Sequence, residues 1–319
     1  MTDTKLLALN SPLFVVGPLR SGTTLLRLMI GNHKDIYCFG EFEFAVSRFN
    51  GISPPSIEDY VNFLSTDRQA LAYKVTVDET IKDYNELVRS FLRQLYERQP
   101  NKIVGASLHS RMDVLPQIWP NGKFIHLLRD PRDVARSCIG MGWVGNVFDG
   151  AKYWIKPEKH WDALKSTIPK EQLLEVRYES LVSDPESELR RICEFLGLPF
   201  DPNMVEIENH TSYSKPNAKF AYQWKSKLSE KEIAYVESQC WDLMIDRQYE
   251  LFFKSKPMLS SFDKLIARID SRFSRIKFGI DRYGFKLWFT YGFSKWLGLK
   301  KLNKRALVKR NEIQESHLK

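Results

Sequence analysis

The sequence predicts an α/β fold with three layers: a central parallel sheet flanked by helices, plus a basic helical C-terminal extension. Three observations carry that prediction. Over residues 1–250, short apolar runs alternate with helical patterns, the order that builds parallel sheets with covering helices. Leu13-Phe-Val-Val16, a glycine-bounded loop and Leu25-Leu-Arg-Leu-Met-Ile30 follow one another as strand, turn and helix. After about Leu251 the strand-like runs stop and an apolar stripe with helical spacing begins. The 319 residues therefore divide into a large domain, 1–250, and an extension, 251–319.

In chain order, the strand candidates are Leu13–Val16, Tyr37–Phe39, Lys102–Ser107, Lys123–Leu128 and Leu173–Arg177, all short apolar runs. Thr23–Asn32, Asp83–Glu97, Arg132–Ile139 and Pro185–Leu196 show helical patterns. Ser53-Pro-Pro-Ser56 reads as a loop. At Ser229-Glu-Lys-Glu232, a serine followed three residues on by glutamate marks a helix start. In the extension, Phe262, Ile266, Ile269, Phe273, Ile276 and Ile280 step by fours and threes along one helical face, with Lys and Arg on the others. Aromatic residues from Trp288 to Trp296 follow, then Lys300-Lys-Leu-Asn-Lys-Arg305.

Composition narrows the class. Apolar content of 43% and charged content of 27% suit a folded, water-exposed protein. Four cysteines, Cys38, Cys138, Cys193 and Cys240, are widely spaced without a C-x-x-C pair, so neither a zinc site nor a disulfide framework is expected. That favours a reducing, cytoplasmic compartment. No leader or anchor is read before the first strand, since Leu6-Leu-Ala-Leu9 is too short to span a bilayer. On that reading the sequon Asn209-His-Thr211 stays unused. The net charge of +9 is uneven: the extension holds 17 Lys/Arg against 5 Asp/Glu, so residues 1–250 are slightly acidic. No nucleic-acid partner is expected.

Gly17-Pro-Leu-Arg-Ser-Gly-Thr-Thr24 has the spacing of a phosphate-cradling P-loop, with Thr23 where a nucleotide kinase needs lysine. Its backbone N–H groups can still wrap an oxyanion at a helix N-terminus. A second anion pocket is readable downstream. Arg129 ends the Phe124–Leu128 run, Asp130-Pro131 opens a helix, and Ser137 falls on that helix. Open sheets bind ligands at the C-terminal edge of their strands. Two anion sites, neither with a lysine for a γ-phosphate, suggest a ligand phosphorylated at two separate places.

These motifs give the chain a family likeness. It resembles the sulfotransferases that use 3′-phosphoadenosine-5′-phosphosulfate (PAPS). Arg20-Ser-Gly-Thr-Thr-Leu-Leu26 is similar to the family's loop for the 5′-phosphosulfate. Leu128-Arg-Asp-Pro-Arg-Asp-Val134 with Ser137 is similar to its 3′-phosphate motif. Arg177-Tyr-Glu-Ser-Leu181, Asp184-Pro185 and Glu194-Phe-Leu-Gly-Leu-Pro199 resemble a third stretch near the adenosine. The likeness covers roughly residues 12–250, in the family's order.

The resemblance implies transfer of a sulfuryl group from PAPS to a hydroxyl or amine, leaving PAP and using no metal. The chemistry needs positive charge at the leaving phosphate, a base for the acceptor's proton, and in-line positioning. Arg20 stands where the family places a basic residue, with Ser21, Gly22, Thr23 and Thr24 around the phosphate. The family's proline commonly sits immediately before that basic residue; here the order is Pro18-Leu19-Arg20. Arg129, Ser137 and Tyr178 would bind the rest of the donor. Lys225, in a Lys/Trp segment, would close over it.

Two residues compete as base. Glu41, in Cys38-Phe-Gly-Glu41, falls on the base glutamate of a similar stretch in tyrosylprotein sulfotransferases. His109 resembles the strand-end histidine of the cytosolic branch. Glu41 is preferred, and Glu43 could stand in for it. The lysine of many glycan-type members is missing from this strand, with Ser107 near its place. Trp143, Trp154 and Trp161 read as packing before sugar stacking. The acceptor would be a glycan, a glycolipid or a small hydroxylated metabolite. Acceptor loops are expected in 41–53, 140–161 and 210–222. The extension could meet an anionic membrane surface, form a homodimer seam, or pack on the main domain. The rival classes are a P-loop kinase or NTPase, and a non-catalytic nucleotide-binding protein at a membrane surface.

Overall fold

The computed structural model describes residues 9–100, 102–206 and 216–316. The sequon Asn209–Thr211 and residues 210–215 of the loop 210–222 lie outside them. The chain forms two compact units: the described residues of Met1–Asp130 with Tyr153–Ser226, and Pro131–Lys152 with those of Lys227–Lys319.

The first unit holds five parallel strands, β1 (Leu13–Val16), β2 (Ile36–Glu41), β3 (Ile103–Leu108), β4 (Lys123–Leu128) and β5 (Leu173–Arg177), in the order β2-β3-β1-β4-β5. β1 is wholly buried because helices cover both faces. Its side chains alternate accordingly. Phe14 and Val16 join a core with Val104, Leu108, Phe124 and the Tyr84–Tyr96 helix. Leu13 and Val15 join another with Ile125, Leu127, Val176 and the helices Thr23–Gly31 and Pro185–Leu196.

The topology positions the site. From central β1 the chain goes first to β2 and β3 on one side, then to β4 and β5 on the other. The β1/β4 boundary is thus a switch point, where the crevice at the strand C-termini opens. The ends of β1 through β4 lead into the Gly17 loop, Glu41, His109 and Arg129 respectively.

The second unit is helical: Pro131–Gly140, Glu230–Asp246, Ser261–Tyr283, Phe285–Trp296 and Lys300–Ser316 are its longer helices. Ser229 accepts from the Glu232 N–H while the Glu232 carboxylate accepts from the Ser229 N–H, the reciprocal cap expected from sequence. Arg132 and Glu237 are fully buried as an ion pair, Nη1 to Oε1 2.7 Å. The pair is satisfied: Arg132 also donates to the Glu250 carbonyl, and Glu237 accepts from the Phe252 and Phe253 N–H groups. Such saturation is what a buried ion pair requires.

Candidate active site

The Gly17–Thr24 loop is held in an unusual backbone. Arg20 has φ 70° and Gly22 φ 94°, both left-handed. A non-glycine residue in that region costs about 1–2 kcal/mol. At Arg20 the cost is offset by a charge-assisted hydrogen bond, since Arg129 Nη1 donates to the Arg20 carbonyl at 2.9 Å. Gly22 is needed for a second reason: a Cβ there would lie 2.5 Å from the Tyr178 ring. Gly22 caps the Thr23–Gly31 helix without a side-chain bond, and no acidic residue sits in the first turn. Those N–H groups thus keep their affinity for an anion.

Arg129 is the hub of this end. Its guanidinium lies 4.1 Å from the Tyr178 ring centroid and donates from Nη2 to the Phe220 carbonyl at 3.3 Å. The 218–220 turn is thereby tied to the loop's back. Lys225 stands five residues on, in the short helix Trp224–Lys227, with its ammonium over the Tyr222 and Trp224 rings. Two groups fit a phosphorylated donor. Among the described residues, the fully buried Ser21 hydroxyl has no hydrogen-bond partner, and neither has the buried Arg129 Nε. Thr23 is buried and Thr24 half-buried. The structure brings Arg20, Gly22, Arg129 and Tyr178 together. Ser137 lies half-buried on the Pro131–Gly140 helix of the other unit.

The two competing bases are neighbours. Glu41 ends β2 and His109 follows β3, the adjacent strand. Glu41 Oε1 lies 3.5 Å from His109 Nε2. A bulge creates this meeting: Cys38 pairs with Gly105 but Glu41 with Ser107, so β2 carries one extra residue. Bulges re-aim side chains in this way. Gln69 donates to Glu41 Oε2 at 2.6 Å. His109 Nδ1 sits 3.1 Å from the Gly17 carbonyl, so both ring nitrogens face acceptors. Burial opposes a charge on His109, but the bond to Glu41 and the charges of Glu43 and Glu41 outweigh it and raise the imidazole's pKa. The His109 hydrogen bond in turn lowers the Glu41 pKa. The geometry therefore favours an imidazolium–carboxylate pair.

Glu43, the possible stand-in for Glu41, is committed elsewhere. It accepts from the His109 N–H at 3.1 Å and the Ser110 hydroxyl at 2.6 Å, and burial raises its pKa. Trp154 and Trp161 are packing residues: both are buried, their indole N–H groups donating to the Arg129 carbonyl and the Glu175 carboxylate. Sequence reasoning missed Gln69, whose helix Arg68–Tyr73 offers no motif, and Glu179. The Glu179 carboxylate accepts from the Asp130 N–H at 2.9 Å, and burial pushes its pKa up to about 7. Its place beside Tyr178 was the available signal.

Comparison with known proteins places the chain in a family. The omega-hydroxy-beta-dihydromenaquinone-9 sulfotransferase Stf3 of Mycobacterium bovis is 26% identical over 210 residues, covering 61% of this chain and 50% of that protein. A protein-tyrosine sulfotransferase of Drosophila melanogaster is 26% identical over 216 residues, covering 64% and 41%. The chain thus spans half or less of the length of these two relatives. Among solved structures, a sulfotransferase domain from the curacin biosynthetic pathway superposes with TM-score 0.57 at 18% identity, covering 76% of this chain and 98% of that one. The sulfotransferase domain of the Synechococcus PCC 7002 olefin synthase gives 0.59 at 21%, covering 76% and 96%. At these identities the likeness is one of fold. The sulfotransferase family model matches residues 12–202, more than half of the chain, and the chain belongs to that family.

Proposed function

We propose that this protein transfers a sulfuryl group from PAPS to an acceptor hydroxyl. The observation that carries the reading is the Glu41–His109 pair at the strand edge beside a lysine-free phosphate loop, one of whose carbonyls, that of Gly17, faces the same histidine. Ser21, Gly22, Thr23 and Thr24 would hold the 5′-phosphosulfate. Arg129, Ser137, Tyr178 and Lys225 would hold the remainder of the nucleotide. PAPS supplies the sulfuryl group. Arg20 places positive charge where the leaving phosphate gains negative charge. Glu41 takes the acceptor's proton, and His109 holds that carboxylate ionised and aimed.

The two curated relatives are named for hydroxyl acceptors, a hydroxylated quinone and protein tyrosine. A glycan, glycolipid or small hydroxylated metabolite fits the same chemistry. On this reading residues 12–250 carry out transfer and 251–319 are accessory to it, with the protein on the cytoplasmic side.

Thermal denaturation tests the donor. PAP at a hundredfold excess over its Kd stabilises the folded state by about 2.7 kcal/mol, raising the Tm by several degrees. An Arg129→Met variant should lose most of that shift. Stabilisation by Mg-ATP, with none from PAP, overturns the reading.

A further inference from the structure

The second unit carries a surface that sulfuryl transfer does not use. On the Phe285–Trp296 helix, Phe285, Phe289, Phe293 and Trp296 recur at steps of four, four and three, along one face. Consecutive rings lie 5.9, 5.5 and 6.4 Å apart. All four remain exposed, Phe285 at 62% and Trp296 at 80%. On the Ser261–Tyr283 helix, Phe262, Ile269 and Phe273 are exposed too. A contiguous row of exposed rings, such as the Phe285–Trp296 helix carries, marks an interaction site.

The aromatic row also walls a cleft of about 1050 Å³. Phe289, Phe293 and Trp296 line it, together with Arg268, Arg272, Arg275, Lys295 and Arg310. Asp149 is the one carboxylate among the described lining residues. It is already engaged by Lys152 at 2.6 Å, which helps hold its pKa low against burial. The helices pack tightly in the wall of this cleft: a Cβ on Gly279 would lie 2.6 Å from the Trp288 indole. The cations thus line a formed cavity and stand in excess over acid.

Charge chooses the occupant. Were the extension to face the same extension of a second copy, each would meet 17 Lys/Arg with 5 Asp/Glu, like charge facing like. An anionic bilayer meets both features: lipid phosphates face the cations, and rings settle at the headgroup boundary. Among the described residues, no helix is long and apolar enough to cross a membrane, so the contact is with its surface. We infer that residues 251–319 dock the protein on an anionic lipid surface. Phe285, Phe289, Phe293 and Trp296 enter the interface, while the cleft cations hold lipid phosphate.

The test is flotation of the full chain with phosphatidylcholine vesicles, with and without phosphatidylglycerol. The protein should float with the mixed vesicles and not with phosphatidylcholine alone. Each basic residue at an anionic surface is worth about fivefold in partition, so Arg272→Glu/Arg275→Glu should weaken binding by roughly thirtyfold or more. Phe285→Ser/Trp296→Ser should weaken it by roughly tenfold or more. All four positions are exposed, and a preserved melting temperature shows that each variant is folded. Equal flotation with both vesicles, or with neither, overturns the inference. So does a dimer in light scattering that Phe285→Ser/Trp296→Ser dissociates, because the face then belongs to a second copy.

Discussion

Glu41→Gln isolates the proposed base. Glutamine has the same shape, and its carbonyl can keep the bond from Gln69, now 2.6 Å from Oε2. Its amide can donate to His109 Nε2, which then accepts as a neutral ring while Nδ1–H still faces the Gly17 carbonyl. The local network stays satisfied, so the loss in folding stability is that of a charge-assisted bond, about 1–2 kcal/mol. Catalysis loses far more. A positioned general base contributes about 10²–10⁴ in rate, or roughly 2.7–5.4 kcal/mol of barrier at 1.36 kcal/mol per decade. The assay follows labelled sulfuryl transfer from PAPS to an acceptor that the wild type turns over, with PAP-induced stabilisation as control. The donor loop does not include Glu41, so that stabilisation should persist while turnover falls. Near-normal turnover in a folded, PAP-binding variant refutes the assignment and moves the proton to His109.

Two further outcomes follow from contacts in the structure. Gly22→Ala puts a methyl 2.5 Å from the Tyr178 ring at φ 94°, displacing the ring on which Arg129 rests. Destabilisation of about 1–3 kcal/mol and loss of the PAP-induced Tm shift are expected; a variant matching wild type in both would show that the loop tolerates side chains. The ion pair also sets a pH dependence. His109 is raised above its ordinary 6.5, so its stabilisation is complete below that pH and is lost as pH rises through the folded value. Glu41 is lowered below 4.5, so its contribution is complete above that pH and lost in acid. The stability difference between wild type and His109→Gln should therefore be largest between about pH 4.5 and 6.5 and shrink in alkali. A difference independent of pH from mildly acidic to alkaline would mean a neutral His109.

What the sequence could announce was local. The five strand runs, the lysine-free loop and the Ser229 cap are each written within a few consecutive residues, and each is present in the structure. The Glu41–His109 pair is not local. The two stand 68 residues apart, and spacing says nothing about which strands lie side by side. The chain passes from β2 to β3 as sheet neighbours, then crosses β1 to β4, and that order alone puts both side chains at one edge. Even adjacency would not suffice, because side chains alternate between faces and an unbulged β2 would set Glu41 out of step with Ser107. Gly40, inside a strand, was the legible trace of that irregularity. In one dimension Glu41 and His109 read as separate candidates; in the structure they are neighbours. In three dimensions His109 opposite Glu41 favours the ionised carboxylate beside the loop proposed to gather a phosphosulfate's negative charge. A lone glutamate there would have its pKa pushed up by the bound anion and would hold its own proton when the acceptor's arrived. The histidine thus makes a carboxylate base compatible with an anionic donor, and the pairing is a requirement of the chemistry proposed for this edge.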